Sequence, residues 1–198
     1  MMTFRHFWLL FVCSTGALSA ATVIDFNDGT DGQGIGTFYG SIGVTFSNAE
    51  WDSLTSGYTP DPSSTGLRLV ADGSNYQPKS SDPIVVTFQT PITIASIIAN
   101  NVNLNGARID AFDQLVGGTV IDFHQVVGAS GAQNSNFLLQ VSGPSIRRLE
   151  LYQPFSAETE GVLFDNLSFT SVPESSTALA LLPALVFFTG RRRVSPQD

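Results

Sequence analysis

An all-β fold, an antiparallel two-sheet sandwich of jelly-roll type, is what the central part of this sequence predicts, and three observations carry the expectation. About ten short runs alternate apolar and polar residues, the pattern of a strand with one buried face. Clusters of Gly, Asn, Asp, Ser and Pro punctuate those runs with turn chemistry. No stretch of the body joins a 3.6-residue apolar period to helix caps. Composition agrees, with 13% charged residues, 11% aromatics and 15 phenylalanines, which suits a β-rich globular chain better than a disordered or coiled-coil one.

Taken in order, the 198 residues hold one domain between two processing segments. Residues 1–21 have the three-part layout of a secretory signal peptide: Arg5 in a basic start, the apolar run from Phe7 to Val12, and Ser19-Ala20-Ala21 as a small-residue cleavage site. The apolar run is too short to span a bilayer, which takes ~20 residues. Val12 precedes Cys13 where lipid attachment needs a small residue. Cys13 is the single cysteine, so the body contains no disulfide and no thiolate metal site.

The body, residues 22–171, gives strands at Thr22–Phe26, Gly43–Ser47, Leu67–Ala71, Ile84–Phe88, Ile92–Ile98, Ala107–Phe112, Thr119–Phe123, Asn136–Val141, Ile146–Tyr152 and Val162–Phe169. In the first, Ile24 and Phe26 are expected inward and Asp25 outward. Ser142-Gly143-Pro144 reads as a turn between strands, and Asn105-Gly106 as the turn of a hairpin. Ile94–Ile98 and Phe137–Leu139 are apolar on both faces and read as interior strands covered on each side. The longest irregular stretch, Asn48–Thr65, is the place expected to carry a binding surface.

Charge and chemistry narrow the function classes. Net charge is −8; with Arg5, Glu174, Asp198 and the tail arginines set aside, the body holds 5 basic and 15 acidic residues and stands near −10. Such a body repels nucleic acid, whose phosphates need clustered Lys and Arg. After signal removal His124 is the one histidine, two residues after Asp122, with no nucleophile motif near it. Calcium takes oxygen ligands that turns supply. Asp25, Asn27, Asp28 and Asp31 crowd one turn, and Asp165 on the last strand is positioned to complete a site if first and last strands are neighbours. The same residue types also simply form turns. Among aromatics near loops, Trp51 and Tyr58 are candidates to stack on sugar rings, with rim closure of the core as the alternative.

The tail, residues 172–198, combines a polar signature, an uncharged apolar run over 178–190 and a basic cluster. Val172, Pro173, Glu174, Ser176 and Thr177, followed by Arg191, Arg192 and Arg193, resemble the PEP-CTERM protein-sorting signal of Gram-negative bacteria, also called the ice-binding protein C-terminal domain. Ser175 stands where that signature has a second proline. The resemblance implies a substrate of exosortase, a membrane protease-transpeptidase, in bacteria that make extracellular polysaccharide. An apolar segment of ~13 residues rises only ~20 Å, so it is expected to lodge as a helix in the inner membrane with its arginines cytoplasmic and the body outside. The function expected is therefore a non-enzymatic cell-surface or matrix protein that binds polysaccharide. The alternative is a secreted glycan-active enzyme using two carboxylates on a sandwich.

Overall fold

The computed structural model describes residues 20–53, 59–71, 77–130 and 135–172. The signal peptide, apart from its last two residues, and the sorting tail beyond Val172 lie outside them. Among the described residues are nine strands: β1 (Thr22–Ile24), β2 (Val44–Ser47), β3 (Glu50–Asp52), β4 (Arg68–Val70), β5 (Ile84–Asn100), β6 (Ala107–Phe112), β7 (Val120–Val126), β8 (Phe137–Tyr152) and β9 (Leu163–Ser171). A 3₁₀ turn, Phe38–Ile42, lies between β1 and β2. Among these residues no helix is long and apolar enough to cross a membrane.

Every strand pairing is antiparallel. The hydrogen-bonded order runs β3–β4–β9–β5–β8–β6–β7, with β1 against β9 and β2 against β5. The organising feature is the long ribbon of β5 and β8, whose register shifts between Thr87 and Ile94. Pro91 in β5 and Gly143-Pro144 in β8 explain the shift. Proline cannot donate to the ladder, so strands that contain it bulge and bend. The first half of β5 pairs with β2 and with the second half of β8, which continues to β6 and β7. The second half of β5 pairs with β9 and with the first half of β8. One ribbon thus contributes to a front layer (β2, β5, β8, β6, β7) and a back layer (β3, β4, β9, β5, β8, with β1 on β9).

The core lies between these layers. Ile84 and Val86 from the front half of β5, Ala95 and Ile97 from its back half, and Ile109, Leu149, Phe164 and Leu167 are fully buried in one cluster. Phe88 meets Phe169 at 5.2 Å between ring centroids, and Phe26 meets Phe46 at 5.8 Å. Both contacts join the layers. Ile24 and Phe26 point inward and Asp25 outward, as the alternation requires.

Four details differ from the sequence expectation. Ile84–Phe88 and Ile92–Ile98 are one strand, and so are Asn136–Val141 and Ile146–Tyr152, because Pro91 and Ser142-Gly143-Pro144 make bulges instead of chain reversals. Asn105-Gly106 does not close a hairpin. It makes a turn (Gly106 N to Asn103 O, 3.0 Å) into β6, but β8 lies between β5 and β6. Ile94 and Leu138 are 44% and 58% exposed, so the outer face of the back layer is bare where a covering layer was expected. The irregular stretch from Asn48 contains β3, which pairs with β4.

Candidate functional site

A cleft of about 270 Å³ opens between the end of β1 and the 3₁₀ turn. Val23 and Ile42 form apolar walls, Phe38 and Tyr39 supply aromatic rings, and Asp25, Asp28 and Ser41 bring oxygen atoms. The local sequence explains the shape. After β1 the chain turns sharply, with Phe26 at a φ of 56°. Gly29 then passes so close to Trp51 that a Cβ there would lie 2.0 Å from the indole. Only glycine permits that approach. The 3₁₀ turn closes at Gly43, whose φ of 76° lets its N–H reach back to Gly40 and Tyr39 carbonyls.

Phe38 is the unusual residue. It is 52% exposed, yet its ring stands edge-on against Tyr39 at 5.1 Å and against Trp51 at 4.9 Å. Edge-to-face contacts of this kind fix a ring's orientation. Behind it the Tyr39 hydroxyl donates to Asp28 Oδ1 at 2.5 Å. Burial, then that bond to Asp28, pushes the Tyr39 hydroxyl's pKa far up, so it stays a donor. Sequence reasoning named Asp25 and Asp28 of this cleft but did not point to Phe38, Ser41 or Ile42. A lone Phe beside a Tyr-Gly pair has no periodicity to mark it.

The expected calcium ligands have separate hydrogen-bond assignments. Asp25 Oδ1 accepts from Asn27 N at 3.3 Å. Asn27 Oδ1 accepts from Leu67 N at 3.0 Å and pins the 59–67 segment. Asp31 accepts from Ser53 N and Ser53 Oγ, both at 2.8 Å, and these bonds hold its carboxyl below the usual range. First and last strands are neighbours, with Ile24 opposite Leu167. Asp165, however, is fully buried and accepts from Ser64 Oγ at 2.5 Å and Asn166 N at 2.7 Å. Arg68, only 2% exposed, donates to the same Ser64 Oγ and contributes positive charge beside Asp165. Burial pushes the Asp165 carboxyl up to about 6, against those hydrogen bonds. Among the described residues, no three His, Cys, Asp or Glu side chains gather into a group that could hold a metal ion.

Of the two aromatics expected to meet a sugar, Trp51 is 2% exposed and serves as a backstop for Phe38. Its own ring is closed to a ligand because β3 turns it into the core. Tyr58 lies outside the described residues. Of the sorting signature only Val172 lies within them, its N–H bonded to Pro91 O at 3.0 Å. Pro173, Glu174, Ser176, Thr177 and the arginines lie outside. His124 and Asp122 serve the fold: His124 Nδ1 accepts from Gln140 N at 3.1 Å and Asp122 Oδ2 from Ser142 N at 2.7 Å. They cap the free edge of β8, a common way to blunt an edge strand.

These features define a class: an all-β sandwich with an aromatic, carboxylate-edged cleft at one end of a strand. No protein-family profile matches the chain, and neither does any curated protein. Among solved structures it is similar to the K2 cleaved adhesin domain of Lys-gingipain, with 11% identity and a TM-score of 0.49 over 77% of this chain and 99% of that one. It is also similar to the CBM22-1–GH10 modules of endo-1,4-β-D-xylanase 10B from Clostridium thermocellum, complexed with xylohexaose. There the identity is 10% and the TM-score 0.37, over 66% of this chain and 25% of that one.

Proposed function

We propose that this chain is an exported, non-enzymatic cell-surface or extracellular-matrix domain that binds polysaccharide in the cleft beside Phe38. The observation that carries this reading is the fixed, half-exposed Phe38 ring standing next to the carboxylates of Asp25 and Asp28. A sugar ring presents an apolar C–H face and an edge of hydroxyls. The aromatic ring suits the first, and carboxyl oxygens, as acceptors, suit the second. A volume of about 270 Å³ is small beside ordinary ligand sites of ~300–1,000 Å³ and fits about one ring of a longer polymer.

Affinity electrophoresis tests this in gels containing xylan, dextran, alginate or pectin. The folded domain should be retarded by at least one of them, and Phe38→Ala should abolish most of the retardation. Equal mobility of wild type and variant in every gel would refute the cleft.

Delivery is part of the same proposal. The signal peptide exports the chain, and the PEP-CTERM-like tail engages an exosortase-type membrane protease, with residues 178–190 lodged in the membrane and Arg191, Arg192 and Arg193 on the cytoplasmic side. Mass spectrometry of the exported protein should find a C-terminus near the Val172-Pro173-Glu174 signature. A chain intact through Asp198 in exosortase-competent cells contradicts it.

The enzymatic alternative has one supporting feature: Asp110 and Glu150 face each other across β6 and β8. Each is already held by its own arginine, Asp110 by Arg108 at 2.7 Å and Glu150 by Arg148 at 3.1 Å. Among the described carboxyls, the one pushed well up is Asp165, which is fully buried and out of a substrate's reach. A binding role accounts for these features better than acid–base catalysis.

A further inference from the structure

The outer face of the front layer holds a second aromatic platform, far from the cleft. Phe123 on β7 is 55% exposed. The Arg108 guanidinium lies over its ring at 4.2 Å. That guanidinium is itself clamped, by Asp110 Oδ1 at 2.7 Å and Gln125 Oε1 at 3.1 Å. Tyr152 supports the clamp: its hydroxyl donates to Asp110 Oδ2 at 2.8 Å, and Arg108 also stands over its ring at 5.9 Å. The three strands set this up by register, since Arg108 lies opposite both Gln125 and Tyr152.

An exposed phenylalanine alone signifies nothing. This one has one face covered by a cation and the other open, and its support cannot easily rearrange. A ring already ordered loses little entropy when a ligand stacks on it. Arg108 stays behind the ring as its support. Beside the ring, two residues along the same face of β7, the Gln125 amide has its own donors. Stacking on the open face with hydroxyls turned toward Gln125 is the arrangement a sugar ring accepts.

We propose that Phe123, Arg108 and Gln125 form a second saccharide-stacking site, which makes the domain bivalent toward polysaccharide. The proposal rests on the sugar-binding reading of the cleft and extends it. The two sites are well separated. The 3₁₀ turn leads into β2 at one edge of the front layer, and β7 is the other edge. Four strand spacings of ~4.8 Å put roughly 19 Å between those edges. One sugar residue cannot touch both sites, but two segments of polymer can. The domain would then cross-link chains, or hold one chain by avidity.

The test uses a trisaccharide, too short to bridge the sites, of whichever polysaccharide in the four-gel panel retards the wild type. Calorimetric titration should give two trisaccharides per chain for the wild type, and one for Phe38→Ala and for Phe123→Ala. Light scattering on mixing with the whole polymer should rise with the wild type and stay flat with either variant. Phe123→Tyr, which keeps the ring, should behave as wild type and shows that the alanine effect is not a loss of folding. One trisaccharide per wild-type chain, or unchanged scattering with Phe123→Ala, overturns bivalence while leaving the cleft reading intact. If Phe123→Ala alone removes all binding, the cleft reading fails and the sheet face stands. A wild type that none of the four polymers retards removes both.

Discussion

Asp165 contributes to stability with a pH dependence opposite to that of ordinary acid denaturation. Its carboxyl is fully buried, and burial raises its pKa from 3.8 to about 6. The native state therefore holds this proton more tightly than the unfolded chain does. Stability from that preference is fully present below about pH 4, and it is lost as pH rises through about 6. Two pKa units correspond to ~3 kcal/mol, and solvent relaxation around the Ser64–Arg68 cluster brings the expected change to ~1–3 kcal/mol. Carboxyls such as Asp31 and Asp61, held low by serine hydrogen bonds, act the other way, so total stability mixes both signs. Asp165→Asn isolates the term because it removes the titration and little volume. Its amide must place an NH₂ against Ser64 Oγ, which already accepts from Arg68 and Asn100. That mismatch costs ~1–3 kcal/mol at low pH. Urea midpoints of wild type and variant between pH 4 and 7.5 should show the wild type's advantage shrinking by ~1–3 kcal/mol as pH rises. An advantage that is constant, or that grows with pH, refutes the reasoning.

Other expectations follow from packing. Gly29→Ala puts a methyl group into the Trp51 ring. It should lower stability by ~1–3 kcal/mol and shift the emission of Trp51, the one tryptophan left after signal removal. Phe164→Ala empties a fully buried site and should cost ~3–5 kcal/mol, read as a lower urea midpoint. Phe38→Ala, at a half-exposed position, should leave the melting temperature within about 3 °C, since surface changes rarely exceed ~0.5 kcal/mol, and should weaken polysaccharide binding about tenfold.

Where local pattern decides the structure, the sequence was a good guide. The inward Ile24 and Phe26 and β6 from Ala107 to Phe112 were legible in the apolar alternation, whereas the pairing of first and last strands entered only as a condition of the calcium reading. Proline misled because its local meaning is ambiguous: Ser142-Gly143-Pro144 reads as a turn, yet the long ribbon absorbs both Pro144 and Pro91 as bulges. Ile94 and Leu138 misled because an apolar side chain does not itself say whether a layer covers it. Asp25 and Asp28 of the acidic turn line the cleft. The turn's hydrogen-bond partners were not legible, because bonds from Tyr39, Ser53 and Leu67 come from residues 11 to 40 positions away. Phe38, not Trp51, stands at the cleft mouth for the same reason, since only the close pass of Gly29 lets the indole pack inward.

The central claim is that the cleft beside Phe38 takes up a sugar. Amide chemical-shift mapping on titration with the bound trisaccharide tests it most directly. The account predicts saturable shifts at Val23, Asp25, Asp28 and residues 38–42, with a second set around Phe123. Shifts that leave residues 38–42 unmoved while the oligosaccharide binds elsewhere would contradict it.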